Sequence, residues 1–251
     1  MARLDGKVVL VTGGGQGFGR AYCLGVAREG ATVAVADLNE ETAQQTRAMV
    51  EDQGGRAIVV PVDVSEESSV LEMRDSVDRQ LGGIDGLVNN AGIFPRINLA
   101  DITKEAWDRI YNINVWGSFV VARAASHSMR ERGGGSIVNI SSSTFLTPPT
   151  QHAAYMSSKG AIMALTRALA TGLASHHIRV NTILPALTGT EGVLSEPGYE
   201  PWYLEQRAQM QLIKRPATSE DVVGAAIFLL SEESAFMTGQ SIPVTGGTGM
   251  S

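Results

Sequence analysis

The chain has 251 residues, 43% of them hydrophobic, one cysteine, and a formal net charge of −6. The acidic balance argues against nucleic acid or an anionic membrane as the main partner. The lone Cys23 cannot form an intramolecular disulfide, and no His/Cys spacing matches a zinc site.

The chain runs directly into a strand pattern, Lys7-Val8-Val9-Leu10-Val11, with no charged, apolar and cleavage regions ahead of it. No apolar stretch approaches the ~20 residues that span a bilayer, so the cytoplasm is the expected compartment. After the first strand, at 8–11, comes Thr12-Gly13-Gly14-Gly15-Gln16-Gly17-Phe18-Gly19, opening a helix at 17–29. Glycines there let backbone N–H groups approach a pyrophosphate while the helix N-terminus supplies partial positive charge. A tight turn that only needs positive φ is the plainer explanation. Cys23, beside Leu24 and Val26 in that helix, reads as a small buried filler.

A second strand at 32–36 ends at Asp37, eighteen residues after Gly19, where a ribose-binding acid belongs. Asp37 could equally cap the helix expected at 40–53. A third strand, 57–62, ends at Asp63 and Val64, with the same two readings, an adenine-side contact or a cap for the helix at 66–80. The fourth strand, 83–88, runs into Asn89-Asn90-Ala91-Gly92, small residues that admit a ligand or make an ordinary turn.

A long helical pattern at 103–131 carries Asn114 among Ile113, Val115 and Trp116, an unexpected polar side chain. The fifth strand, 136–140, is followed by Ser142. Tyr155 and Lys159, four apart in the helix at 152–175, share one face. Taken singly, Asn114 could relieve a helix kink, Ser142 make a turn, Tyr155 fill the core and Lys159 sit in solvent. The sixth strand, 178–183, precedes Pro- and Gly-punctuated residues 187–215, which include Trp202 and Tyr203. A connection of this length predicts a substrate-covering loop with a short helix. A helix at 219–230 and a strand at 241–244 finish the chain. Uniformly apolar strands alternating with amphipathic helices predict one α/β domain over 1–251, a doubly wound parallel sheet covered on both faces.

Taken together, Thr12–Gly19, Asp63, Asn89–Gly92, Asn114, Ser142, Tyr155-Met156-Ser157-Ser158-Lys159 and Arg179-Val180-Asn181 resemble the short-chain dehydrogenase/reductases over essentially the whole length. The resemblance implies a Rossmann-type fold of about seven strands and hydride transfer between a nicotinamide and a secondary alcohol or ketone. Tyr155 would exchange a proton with the substrate oxygen, and Ser142 would hydrogen-bond that oxygen. Lys159 and the positive nicotinamide ring would together lower the Tyr155 pKa, Lys159 would also bond the nicotinamide ribose, and Asn114 would anchor a water leading from Lys159 to solvent. The cofactor set is Gly13, Gln16, Gly17, Phe18, Gly19, Asp37, Leu38, Asp63, Val64, Asn90, Ala91, Gly92, Tyr155, Lys159, Pro185, Thr188 and Thr190. Asp37, with Gln16 where NADP-dependent relatives often carry Arg or Lys, points to NAD. Arg20 is expected to face away from the ribose.

Two departures stand out: Ala186 after Pro185, where the family usually has glycine, and Thr245 before Gly246-Gly247 in place of aspartate. The substrate pocket is expected at Phe94, Ser142, His152 and Trp202, favouring a small cyclic, aromatic or apolar substrate. Arg96 reads as a solvated arginine, with a substrate anion as its alternative. A 3-oxoacyl-carrier-protein reductase is one rival function, and a non-catalytic dinucleotide sensor is a rival from another class. No metal is required, and the family habit implies a homotetramer through the helices at 103–131 and 152–175.

Overall fold

A computed structural model describes residues 2–146, 150–195 and 199–248. The Glu196-Pro197-Gly198 stretch of the expected loop lies outside them. Seven parallel strands form one sheet in the order β3-β2-β1-β4-β5-β6-β7. They are β1 (Val8–Thr12), β2 (Thr32–Asp37), β3 (Arg56–Pro61), β4 (Gly86–Asn89), β5 (Gly135–Ile140), β6 (Ile178–Pro185) and β7 (Ser241–Val244). Register is set at the centre, where Val9 pairs with Val33 on one side and Gly86 on the other. The order reverses between β1 and β4, so their carboxyl ends open a crevice at the switch point.

The unbroken apolar strands follow from helices on both faces. Val9, Val11, Val33 and Val35 pack with Tyr22 and Val26 of α1 (Gly17–Arg28) on one face. Leu10, Ala34 and Leu87 point the other way, against Met73 and Val77 of α3 (Glu67–Leu81) and Val121 of α5 (Ser118–Glu131). Each fully buried Val or Leu contributes roughly 1.5–3 kcal/mol, so alternate residues serve two cores. Cys23 is fully buried in the first core, and burial pushes its thiol up, as a filler requires. Helix α2 (Glu40–Asp52) starts under an Asn39 cap, with α6 (Ala153–Leu173) and α9 (Val223–Leu230) completing the layers.

Three boundaries differ from the sequence pattern. The helix expected at 103–131 is α4 (Lys104–Tyr111) and α5, joined by a π-helical turn over Asn112–Gly117. The fourth strand starts at Gly86, not 83, because Gly82 and Gly83 hold positive φ beyond α3 and Asp85 anchors the entry. Its carboxylate accepts from Val8 N (2.7 Å) and from Arg132 Nε (2.7 Å). The last helix pattern begins as a tight turn at Ser219–Val222 with a Thr218–Asp221 capping box. Between β6 and this turn lie two short helices, α7 (Glu191–Leu194) and α8 (Pro201–Ala208), where one was expected. Among the described residues no helix is long and apolar enough to cross a membrane.

Candidate active site

The ends of β1 and β4 are lashed together at the switch point. Thr12 Oγ1 accepts from Asn90 N (3.0 Å) and Ala91 N (3.2 Å), while Asn90 Nδ2 donates to Thr12 O (3.0 Å). The glycine turn packs against this knot. Gly13 holds φ +63°, and a Cβ there would press within 3.1 Å of the Ala91 backbone. A Cβ on Gly19 would lie 1.8 Å from Gly13 O, so the helix meets its own turn where only glycine fits. These are the close approaches a backbone cradle for a diphosphate needs.

Asp37 is not the helix cap. Asn39 takes that task, its side chain accepting from Thr42 N (3.2 Å). The Asp37 carboxylate instead accepts from Gly15 N (2.8 Å) and Asn39 N (2.9 Å), which aims it across the turn at the rim of the cleft. Asp63 likewise sits before the helix, its Oδ1 accepting from Ser65 N (2.9 Å) and Ser65 Oγ (2.6 Å). Arg20 faces away from the cleft, donating to Gly15 O (2.6 Å) and Thr46 Oγ1 (3.1 Å) and pairing with Glu191 (3.3 Å).

A cleft of about 660 Å³ runs from Asp37, Leu38 and Asp63 past Asn90–Gly92 to Tyr155 and on to Tyr199. Of the site residues expected from sequence, all but Gly19, Asn114 and Trp202 line it. Gly19 lies behind the turn it permits. Asn114 lies behind the wall, fully buried in the π-helical turn. Its Oδ1 accepts from Ile93 N (2.8 Å), and its Nδ2 donates to Ile93 O (2.9 Å) and Ser158 Oγ (3.0 Å). The structure therefore gives Asn114 a task besides the expected water: it clamps the peptide after Gly92 to α6. π-helical turns often mark functional positions.

At the far end, Ser142, Tyr155 and Lys159 converge from the β5 exit and the first turns of α6. Ser142 Oγ accepts from Thr144 N (3.2 Å) and Thr144 Oγ1 (3.0 Å). Burial pushes the Tyr155 phenol up to about 12, while its hydrogen bond with Ser142 pulls it down. Lys159 Nζ donates to Ile140 O (2.8 Å) and lies 5.9 Å from the Tyr155 ring centroid. Burial lowers the Lys159 ammonium to about 8. In the protein alone, burial outweighs the Ser142 hydrogen bond, and the phenol stays above its ordinary value.

The wall opposite comes from Phe94 and from the segment after β6. The Phe94 ring meets Tyr155 edge-on at 6.3 Å, and the His152 ring does so at 5.8 Å. His152 Nε2 lies 2.6 Å from Tyr199 Oη, and burial, then Arg96, lower the imidazole pKa against the pull of the Pro95 carbonyl. Arg96 is not a solvated side chain: its guanidinium covers the Tyr199 ring at 4.9 Å and donates to Gln151 Oε1 (3.0 Å).

Trp202 is the pocket residue that the structure removes. It is 62% exposed and outside the lining, because α8 turns Tyr203 and Arg207, four apart, toward the cleft. Tyr203, expected on the cover, lines the cleft, as do Tyr199 and Gln211, which the sequence does not single out. Their signal was weak: scattered aromatics in a segment without regular period. The two departures are benign. Ala186 is not at positive φ, and its N donates to Val244 O (3.0 Å). Thr245 is buried before the Gly246 turn, whose carbonyl accepts from Leu212 N (2.8 Å) and Ile213 N (2.9 Å), pinning the end of the cover.

Comparison with known proteins bears on this site. A family model described as Enoyl-(Acyl carrier protein) reductase matches residues 13–249. Cyclopentanol dehydrogenase of Comamonas sp. is 39% identical over 252 residues, covering 98% of each chain. The chain belongs to the short-chain dehydrogenase/reductase family. The 2-(S)-hydroxypropyl-CoM dehydrogenase 3 of Xanthobacter autotrophicus is 38% identical, covering 98% of this chain and 97% of the relative. A crystal structure of NAD+-bound xylitol dehydrogenase superposes with a TM-score of 0.90 at 35% identity, over 98% of this chain and 100% of that one. The protein is thus a short-chain oxidoreductase of Rossmann-type fold, acting on CH–OH donors.

Proposed function

We propose that the protein oxidises a compact secondary alcohol, or reduces the matching ketone, with NAD(H). The observation that carries the reading is the convergence of Ser142, Tyr155 and Lys159 at one end of a cleft whose other end is the Asp37 carboxylate. The dinucleotide fits the residues present: Gly13, Gly17 and Phe18 would cradle its diphosphate, Asp37 and Leu38 its adenosine ribose, and Asp63 and Val64 its adenine. Asn90–Gly92, Pro185, Thr188 and Thr190 line the path toward the nicotinamide end.

When bound, the oxidised nicotinamide supplies the hydride acceptor and a positive charge. Tyr155 Oη takes the proton of the substrate hydroxyl. Burial holds the phenol at about 12, too basic to ionise alone at neutral pH, so nearby positive charge is what makes the tyrosinate accessible. Ser142 donates to the substrate oxygen, its own acceptor sites being occupied by Thr144. Lys159 holds a proton at Nζ beneath Tyr155 and offers its remaining N–H groups to the ribose. Asn114 keeps the Gly92–Ile93 peptide in place behind them.

Preference for NAD follows from Asp37. A 2′-phosphate would stand within about 4 Å of its carboxylate, a repulsion of about 4 kcal/mol at an effective dielectric near 20. Arg20 is engaged with Gly15, Thr46 and Glu191. The aromatic enclosure by Phe94, His152, Tyr199 and Tyr203 favours a compact substrate. The names of two relatives, a cyclopentanol and an NAD+-bound xylitol dehydrogenase, accord with that class. A cytoplasmic homotetramer through α4–α5 and α6 completes the reading, in keeping with the half-exposed Trp116 and its neighbour Phe119. The test is turnover of cyclic and aryl secondary alcohols, polyols and an acetoacetyl thioester with each cofactor. NAD with a compact alcohol should give the highest kcat/KM. A thioester preferred by tenfold or more would make the protein a ketoreductase of acyl carriers.

A further inference from the structure

Tyr199 is a buried aromatic of the cover segment, 8% exposed, and it is held from three sides. Its hydroxyl lies 2.6 Å from His152 Nε2, its ring stacks near-parallel to the imidazole at 6.3 Å, and Arg96 covers it at 4.9 Å. His152 is itself 4% exposed and precedes α6, three residues before Tyr155, whose ring its own edge touches. Tyr199 continues outward to Tyr203 at 5.9 Å. A chain of rings thus connects the proton-transferring tyrosine to the segment that walls the substrate.

We propose that His152 is a positioning residue: its hydrogen bond to Tyr199 clasps the cover segment to the start of α6 and so shapes the pocket in which Tyr155 meets its substrate. The proposal rests on the reading of this cleft as the alcohol site, but its physical core does not need a substrate. Apart from Tyr199, the Gly246 carbonyl holds Leu212 and Ile213, and Thr190 and Glu191 meet the glycine turn. Between these two anchors the His152–Tyr199 bond is a buried polar tie that joins the cover to the start of the catalytic helix.

The clasp carries a pH dependence. The groups facing His152 are Arg96 from the loop after β4, Tyr155 from α6 and Tyr199 from the cover, and none is an acid. An imidazolium there would be buried beside a guanidinium, so protonation is unfavourable with the cover closed. With the cover open the ring meets water and regains its ordinary value near 6.5. Proton uptake below that value therefore favours opening, and above it this bias toward opening is gone.

Tyr199→Phe and His152→Gln test the clasp. Phenylalanine keeps the ring under Arg96 and removes only the hydroxyl. Glutamine keeps an acceptor for that hydroxyl and cannot titrate. In Tyr199→Phe, amide hydrogen exchange in α7 and α8 at pH 8 should quicken by about fivefold, the scale of one lost hydrogen bond. KM for the best secondary alcohol should rise by about as much with kcat little changed, and unfolding temperature should stay close to that of the wild type. In wild type, KM should climb as pH falls from 7 to 5.5, and in His152→Gln that climb should vanish. Exchange in Tyr199→Phe equal to wild type overturns the clasp, as does an unaltered acid climb in His152→Gln. If no alcohol is turned over, the substrate assignment fails while the exchange comparison still decides the clasp.

Discussion

The two ends of the cleft are built by different means. At the Asp37 end the groups stand on strand ends or helix starts, tied by backbone N–H groups donating to side chains, such as Gly15 N to Asp37 Oδ2 and Asn90 N to Thr12 Oγ1. At the Tyr199 end the wall is a segment between β6 and the last helix, held by ring contacts, the His152–Tyr199 hydrogen bond and a few bonds at its margins. The core packs the strands from both faces, whereas the described residues of the cover lie outside the sheet. A dinucleotide, common to many reactions, suits the first kind of site. A substrate that must enter and leave suits the second.

The largest expected effect lies where the two ends meet. Tyr155→Phe keeps the ring between Phe94 and His152 and removes the proton acceptor. Turnover should fall by ~10²-fold or more, the lower range for lost general acid–base catalysis. Cofactor affinity, measured by NADH fluorescence titration, should stay within about threefold. A variant with near-normal turnover would remove Tyr155 from its role and leave the cleft a binding site only.

Asp37→Ala probes the rigid end. Discrimination between NAD and NADP in kcat/KM should be about 10²-fold or more in wild type, as the repulsion at Asp37 requires after screening. It should shrink by about tenfold or more in the variant. Because Asp37 also accepts from Gly15 N, part of the NAD affinity should go with it. Equal use of both cofactors by the wild type would reduce Asp37 to a structural tie for the glycine turn.

How much of this was legible in the sequence follows the same division. Glycines with a steric reason, such as Gly19 against Gly13 O, carry a spacing that survives in one dimension, and so do Tyr155 and Lys159 one helical turn apart. A parallel, doubly wound sheet was legible because uniformly apolar strands alternate with helices, while the order of its strands came only from the structure. The π-helical turn was not: Asn114 showed only as a polar residue out of place, and nothing in residue type reveals one extra residue in a turn. The cover was visible as a segment but not as side chains. Trp202 and Tyr203 are adjacent in sequence, and which faces inward depends on the rotation of a two-turn helix that has no strong apolar period.

Lys159 offers a smaller, pH-resolved effect. Its ammonium is lowered from its ordinary 10.5 to about 8 by burial, so between these values the unfolded chain binds a proton that the folded protein does not. Stability therefore rises with pH across that window. Below about 8 both states hold the proton, and the full cost of the buried charge is present. Lys159→Met removes this titration. Urea unfolding at pH 7, 8, 9 and 9.5 should show the wild type gaining stability relative to the variant above pH 8. A constant difference across the series would mean that the folded ammonium titrates like a free one.

The smallest effect is expected at Trp202, and it separates the two accounts of the cover most directly. With the ring 62% exposed and touching Tyr203 only edge-on at 5.9 Å, truncation removes little buried area and opens no cavity. Trp202→Ala should leave kcat/KM within about twofold and stability within about 0.5 kcal/mol, the usual range for surface substitutions. Tyr203→Ala should raise KM by several-fold, because Tyr203 lines the cleft and leans on Tyr199. The pair matters more than either variant. A large rise in KM for Trp202→Ala with a silent Tyr203→Ala would mean that α8 rotates by about one residue, ~100°, when substrate is bound. The pocket expected from sequence would then be the working one, and the arrangement with Tyr203 inward would be its resting form.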